Sequence, residues 1–63
     1  MYYPPGELLV LRLISEGCST SDISTLLTLP AYTVESYRKA IREKLGARHA
    51  AEAVHKARLL NLL

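Results

Sequence analysis

The strongest constraint on the fold is a pair of helix signals on either side of one proline. Ser19 stands three residues before Asp22, which is a variant of the capping box that starts many helices. The apolar residues that follow keep the spacing of one helical face; they are Ile23, Leu26 and Leu27. Pro30 then stops one helix and can open another. We therefore predict two helices joined by a turn of three or four residues.

Further signals place one more helix on each side of this pair. Residues Glu7 to Glu16 carry a wide apolar stripe, and Gly17 follows where a left-handed cap ends a helix. Gly46 is expected to end the helix that follows Pro30, and a final helix is expected from about His49 to Leu62. No strand pattern or repeat competes with this interpretation. The sequence predicts an all-α fold of four helices.

Length and composition limit what such a domain can be. A chain of 63 residues makes one small domain, which buries only about 60% of its unfolded surface, so stabilisation by a partner is plausible. Residues 1–6 contain Tyr-Tyr-Pro-Pro-Gly and are predicted to be a leader or linker remnant, with the domain at residues 7–63. One cysteine, no long apolar run and no signal-peptide pattern favour a cytoplasmic protein without a membrane segment.

Catalytic and metal chemistry are not indicated by the sequence. Cys18 has no base or second ligand nearby in the chain and is expected to fill a corner between helices. His49 and His55 lack the four-residue spacing that would bring two imidazoles to one metal. Neither a catalytic triad nor a glycine-rich phosphate loop is present. We expect no enzyme activity, no cofactor and no metal.

Charge is divided unevenly along the chain. Residues 1–31 have one basic residue and three acids, for a net charge of −2, whereas residues 32–63 have seven basic residues and three acids, for +4. Such an asymmetry indicates that one face of the molecule meets a polyanion.

The helix after Pro30 has two chemically distinct faces. Its apolar stripe, expected to face the core, consists of Val34, Tyr37, Ile41 and Leu45. Roughly opposite lie Glu35, Ser36, Lys39 and Arg42, with Arg38, Glu43 and Lys44 on the flanks. Exposed charge on a helix is usually only a solvated surface. Here its place opposite the core stripe favours a helix that lies in a DNA groove.

Several short stretches together resemble the LuxR-type, GerE-like helix-turn-helix domain of bacterial response regulators and quorum-sensing regulators. The resemblance covers about Tyr3 to Arg58. The matching residues are Glu7, Val10 to Ile14, Glu16-Gly17, Ser19, Asp22-Ile23, Leu27, Thr33-Val34, Ile41, Lys44 to Gly46, and Ala53-Val54. Each stretch alone is common, but the whole set is specific.

This resemblance implies sequence-specific binding of double-stranded DNA by a transcriptional regulator, with residues 33–45 as the recognition helix in the major groove. It also implies a homodimer formed through the final helix, and RNA polymerase as a further partner. The positions expected to face bases are Glu35, Ser36 and Lys39. The positions expected to contact phosphate are Thr33, Tyr37, Arg38, Arg42 and Lys44.

The chain departs from the family pattern at a few positions. Glu35 stands where lysine is common, and it either accepts a hydrogen bond from a cytosine amino group or pairs with Lys39 one turn later. Pro30 replaces a serine that usually caps the recognition helix, so one capping oxygen is missing. Gly6 and Ala50 stand where arginine is frequent, so two backbone contacts are expected to be absent and binding without a dimer to be weak.

The leucine-rich end of the chain is more apolar than the last helix of a small monomer needs. Leu59, Leu60, Leu62 and Leu63 must pack either on helix one or against a second subunit. We expect intramolecular packing for some of them. The residues expected to approach a symmetric partner are Val54, Arg58 and Leu62.

Two other functions are left open by the residues. A sigma-factor region-four helix-turn-helix shares the acid-Ile and Thr-Val anchors, although Lys44-Leu45-Gly46 and the helix after it favour the LuxR type. A helical module that binds another protein is the second alternative, which Glu35, the weak net charge and the missing arginines support.

Overall fold

Four α-helices make up the fold in this computed structural model, which describes residues 2–63. They are α1 (Pro5–Ser15), α2 (Thr20–Leu27), α3 (Ala31–Leu45) and α4 (Ala50–Leu59). No strand is present within residues 2–63. The predicted all-α, four-helix fold is confirmed, and the turn between α2 and α3 has three residues, as predicted.

The first helix begins two residues earlier than the sequence pattern indicated. Pro5 is the first helical residue and Gly6 the second, so the predicted leader contributes both to α1. A proline fits this position because its ring fixes φ at a helical value and its missing N–H would be unpaired there anyway. The carbonyl of Pro4 accepts hydrogen bonds from the N–H groups of Glu7 and Leu8.

The helices of the central pair start in different ways. At α2 the Ser19 hydroxyl accepts from the Asp22 N–H at 3.1 Å, and the Asp22 carboxylate accepts from the Ser19 N–H at 3.0 Å. The predicted capping box is therefore confirmed. At α3 the cap is Pro30, which provides no side-chain hydrogen bond, so the missing capping oxygen is also confirmed.

All four helices end in the same way, with one left-handed residue followed by an N–H that bonds five residues back. The left-handed residues are Gly17, Thr28, Gly46 and Asn61, with φ of 92°, 54°, 64° and 59°. The N–H groups that follow are those of Cys18, Leu29, Ala47 and Leu62, which reach Leu13, Ser24, Arg42 and Ala57. This bond satisfies a carbonyl that the helix would leave unpaired.

The fourth helix is shorter than predicted. It ends at Leu59 rather than near Leu62, because Asn61 takes the left-handed conformation that terminates it. At its start, His49 caps the helix by accepting the Glu52 N–H through Nδ1 at 3.3 Å. The predicted start of this helix at about His49 is confirmed.

The core lies around α3, which packs against each of the other three helices. Its buried residues are Val10, Leu11, Ile23, Val34, Ile41, Leu45, Ala53 and Ala57. The predicted core stripe of α3 is buried at three of its four positions, and Tyr37 is half-buried at the edge. Because three neighbours hold its inner face, α3 has a fixed orientation and its outer face is left free.

Candidate nucleic-acid interface

The outer face of α3 is a row of exposed side chains at three- and four-residue spacing. We call this row the outer stripe; it consists of Tyr32, Glu35, Ser36, Lys39 and Glu43. The stripe lies opposite the buried residues of the same helix, as the 3.6-residue period requires. The three positions expected to face bases all fall on it.

Glu35 makes a contact that sequence spacing did not predict. The hydroxyl of Thr20, the first residue of α2, donates to Oε1 of Glu35 at 2.5 Å. Of the two interpretations of Glu35, the pair with Lys39 is not formed here, because Lys39 lies beside Glu43 instead, with Nζ 4.0 Å from Oε1. The start of α2 thus holds the glutamate in place, although the side chain remains exposed.

Lys39 and Ser36 are loosely held on the outer stripe. The side chains of Lys39 and Glu43 are 75% and 66% exposed, and an ion pair in such a setting is worth between zero and about 1 kcal/mol. The Ser36 hydroxyl donates to the carbonyl of Tyr32 one turn back at 3.0 Å, and its oxygen can still accept a hydrogen bond. Both side chains can therefore exchange their present contacts for a ligand.

Tyr32 belongs to this face and was missed in the sequence analysis. It is 76% exposed in the first turn of α3, one turn before Ser36. Its spacing of three and four residues from Glu35 and Ser36 is the signal that could have identified it.

Tyr37 stands at the edge of the core against α1. A Cβ atom at Gly6 would lie 2.9 Å from the Tyr37 hydroxyl oxygen, closer than real Cβ contacts allow. A side chain at position 6, such as an arginine, would therefore require the Tyr37 ring to shift. This agrees with the interpretation of Tyr37 as core-edge packing and gives a physical reason for Gly6.

Lys44 forms a tight contact within the protein. Its ammonium donates to Oε1 and Oε2 of Glu7 at 2.9 and 2.5 Å and to the carbonyl of Tyr2 at 3.2 Å. It also lies 5.5 Å from the ring centre of Tyr3, and Glu7 is only 4% exposed. An ammonium has three N–H donors, so all of them are in use. The expected phosphate contact by Lys44 does not fit this geometry.

The other positions expected to contact phosphate flank the outer stripe. Thr33, Arg38 and Arg42 are half-buried. Within residues 2–63, no carboxylate lies within ion-pairing distance of either arginine. Their guanidinium groups can therefore bind an anion without first breaking an ion pair.

The outward surface of α4 combines a groove with two exposed leucines. Val54 and Arg58 line an open groove of about 450 Å³, together with Ile14, Ser15, Gly17, Cys18, Arg38, Ala50 and Ala51. Leu59 and Leu60 are 69% and 61% exposed. Leu62 and Leu63 instead pack on the core of their own chain, as was expected for some of the terminal leucines.

The acids that start α2 and α4 have lowered pKa values. The pKa of Asp22 is lowered chiefly by the hydrogen bond from the Ser19 backbone N–H. The pKa of Glu52 is lowered chiefly by the backbone N–H of Arg48, which donates to its Oε1 at 3.0 Å. Both carboxylates therefore stabilise helix starts in their charged form.

Neither metal-binding nor membrane-spanning features are found in the part of the chain that the structure describes. Residues 2–63 contain no cluster of three His, Cys, Asp or Glu side chains that could hold a metal ion. None of the four helices described is long and apolar enough to cross a bilayer.

Comparison with known families agrees with this architecture. The GerE profile, described as bacterial regulatory proteins of the luxR family, matches residues 5–57, which include α1 to α3 and most of α4. No curated protein and no solved structure matches the chain significantly. The chain therefore belongs to the luxR family of bacterial regulatory proteins, a family of helix-turn-helix domains that bind DNA and regulate transcription rather than one of enzymes.

Proposed function

We propose that this domain binds specific sequences of double-stranded DNA, with α3 in the major groove. The observation that carries the proposal is the arrangement of α3, whose inner face is held by three helices while its outer stripe is exposed. The recognition helix of a helix-turn-helix is arranged in the same way, with one face packed on the domain and the other exposed to the DNA groove. Because bacterial DNA lies in the cytoplasm, the proposed location is cytoplasmic.

Base reading is proposed for the exposed residues of the outer stripe. Lys39 is a cation that can donate to the O6 and N7 acceptors of guanine, and Ser36 can donate or accept. Glu35 only accepts, and it therefore suits the amino group of cytosine. Tyr32 extends this surface by one turn toward the start of α3.

Phosphate contacts are proposed for Thr33, Tyr37, Arg38 and Arg42, which flank the outer stripe. Only the two arginines are cationic, so they determine how binding depends on salt. Each neutralised phosphate contributes about −0.9 to the slope of log K against log salt, which predicts a slope of about −2 for one protomer and about −4 for a dimer. Lys44 is left out of this set because Glu7 and Tyr2 already use its donors.

A homodimer through α4 is also part of the proposal. Val54 and Arg58 line the groove, although Val54 is half-buried against its own core, and Leu59 and Leu60 expose apolar surface at the end of the same helix. Leu62 takes part only at its edge, since it is half-buried on its own core. Two protomers related by a twofold axis would read two half-sites of opposite direction.

If the domain activates transcription, it is expected to contact RNA polymerase. An in vitro transcription assay on the selected DNA site tests this contact.

The experiment that tests the proposal is selection from a pool of random-sequence duplexes at two salt concentrations, followed by sequencing of the bound fraction. We expect enrichment of an inverted repeat and the salt slopes given above. Arg42→Ala should weaken binding to all sequences alike and reduce the slope by about 1 per protomer. Absence of binding at low salt would overturn the proposal and favour the alternative of a helical module that binds another protein. Sedimentation with and without the selected duplex tests the dimer.

A further inference from the structure

The contact between Thr20 and Glu35 joins the two helices of the helix-turn-helix at the surface proposed to meet DNA. The two residues are 15 positions apart, and the hydroxyl-to-carboxylate distance of 2.5 Å is that of a charge-assisted hydrogen bond. We infer, on the basis of the proposed function, that Thr20 is a positioning residue. It holds the Glu35 carboxylate where it can accept a hydrogen bond from the amino group of a cytosine. The site then contains a C·G pair at the position under Glu35.

The two oxygens of the Glu35 carboxylate have different surroundings. Oε1 accepts from Thr20, whereas Oε2 receives no hydrogen bond from residues 2–63. An ionised carboxylate can accept about four hydrogen bonds, so the second oxygen remains available for a ligand. The side chain is exposed on the outer stripe, where a base edge would approach.

Thr20 is suited to hold a side chain still. It is β-branched, so few χ1 rotamers are open to it, and it is half-buried in the first turn of α2, next to the Ser19 capping box. Without this contact the Glu35 side chain would have to be ordered when DNA binds, which lowers affinity and weakens discrimination between bases. With one oxygen already fixed, the other is presented at one place in the groove.

The acceptor chemistry selects the base. In the major groove cytosine offers its N4 amino group, while guanine offers only acceptors and thymine an acceptor and a methyl group. Adenine has an amino group, but its N7 acceptor lies beside it and repels a carboxylate. A carboxylate held at this place therefore favours cytosine over the other three bases.

The first test changes Glu35 and measures the preferred bases by selection from random duplexes, using the whole chain. Glu35→Ala should reduce the preference for cytosine at one position by about tenfold. Glu35→Gln should move that preference toward adenine, because an amide can both donate to N7 and accept from N6. A structural role alone would not change which base is chosen at a single position.

The second test changes Thr20. Thr20→Val removes the hydroxyl at nearly constant shape and should weaken cytosine preference at the same position by about threefold to tenfold. Thr20→Ser keeps the hydroxyl and should retain most of the preference. Thr25→Val is the matched control, since it is the same change in the same helix, about 140° around the axis from Thr20.

The outcomes separate this inference from the function on which it rests. If no sequence is enriched by the unchanged protein, the proposed function fails. If a motif is enriched but contains no cytosine that depends on Glu35, the inference is wrong and the function stands. If Thr20→Val weakens binding to all sequences equally, with thermal melting showing a folded domain, Thr20 only starts α2 and the positioning role is overturned.

Discussion

Two glutamates connect α3 to other helices, and they do so in opposite environments. Glu7, on α1, is almost fully buried, and both of its oxygens accept from Lys44 near the end of α3. Glu35, near the start of α3, is exposed, and one of its oxygens accepts from Thr20. A buried charge must be fully paired, whereas an exposed carboxylate can leave one oxygen to water. The contact of Glu7 with Lys44 therefore stabilises the fold, whereas the contact of Glu35 with Thr20 leaves one carboxylate oxygen available for a ligand.

The largest effect is expected at the buried contact. Lys44→Met leaves the Glu7 carboxylate buried without its cation, which should lower the free energy of unfolding by roughly 3 kcal/mol. Urea denaturation followed by circular dichroism measures this. Glu7→Gln in the same background should restore part of the loss, because a neutral amide is less costly to bury. No difference from a Lys39→Met protein would mean that Glu7 is solvated.

A smaller effect is expected where α1 meets the middle of α3. Gly6→Leu puts a side chain into the space of the Tyr37 hydroxyl and should lower stability by about 1–2 kcal/mol, as overpacking does. Together with the unchanged protein, Gly6→Leu, Tyr37→Ala and the double variant form a double-mutant cycle, which thermal unfolding measures. The double variant should lose less stability than the two single changes together; simple additivity would argue against the contact.

Acid should weaken both helix starts that depend on a carboxylate. The folded-state pKa values of Asp22 and Glu52 are lowered by hydrogen bonds to their charged forms. Their contribution to stability is therefore present at neutral pH and is lost as pH falls through the acidic range, below about pH 4. Melting temperature measured against pH should fall less steeply for the Asp22→Asn, Glu52→Gln double variant. An unchanged slope would contradict the assignment.

The smallest effect on stability is expected at the exposed pair on the outer stripe. Lys39→Met should change the free energy of unfolding by about 0.5 kcal/mol or less, because the ion pair with Glu43 is solvated. The same variant should lose preference for a base in the selection experiment. A stability loss as large as that of Lys44→Met would remove the contrast between the buried ion pair of Lys44 and the exposed ion pair of Lys39.

Local signals in the sequence were sufficient for most of the fold. The Ser19 and Asp22 capping box, the glycine at position 46 and the spacing of the core stripe each depend on residues within one or two turns. The first error lay at α1, where a proline that seemed to oppose the helix begins it. The second lay at α4, where the leucine pattern continues after Asn61 has ended the helix.

The site was predicted less completely because its decisive contacts are not local. The contacts of Lys44 with Glu7 and of Glu35 with Thr20 span 37 and 15 residues of sequence. Spacing rules for one helix could suggest only a partner one turn away, which for Glu35 was Lys39 as one of two interpretations, and they could not suggest Thr20. The exposed positions on α3 could be predicted from its helical period, but the partner that each charged side chain contacts on another helix could not.

The separation of the two faces of α3 has an evolutionary consequence. Most substitutions on the outer stripe leave the core unchanged, so descendants of this domain can acquire new DNA targets without a new fold. Glu35 is the exception, since its contact reaches α2. Among relatives, positions 20 and 35 are therefore expected to change together, whereas position 39 should vary independently of both.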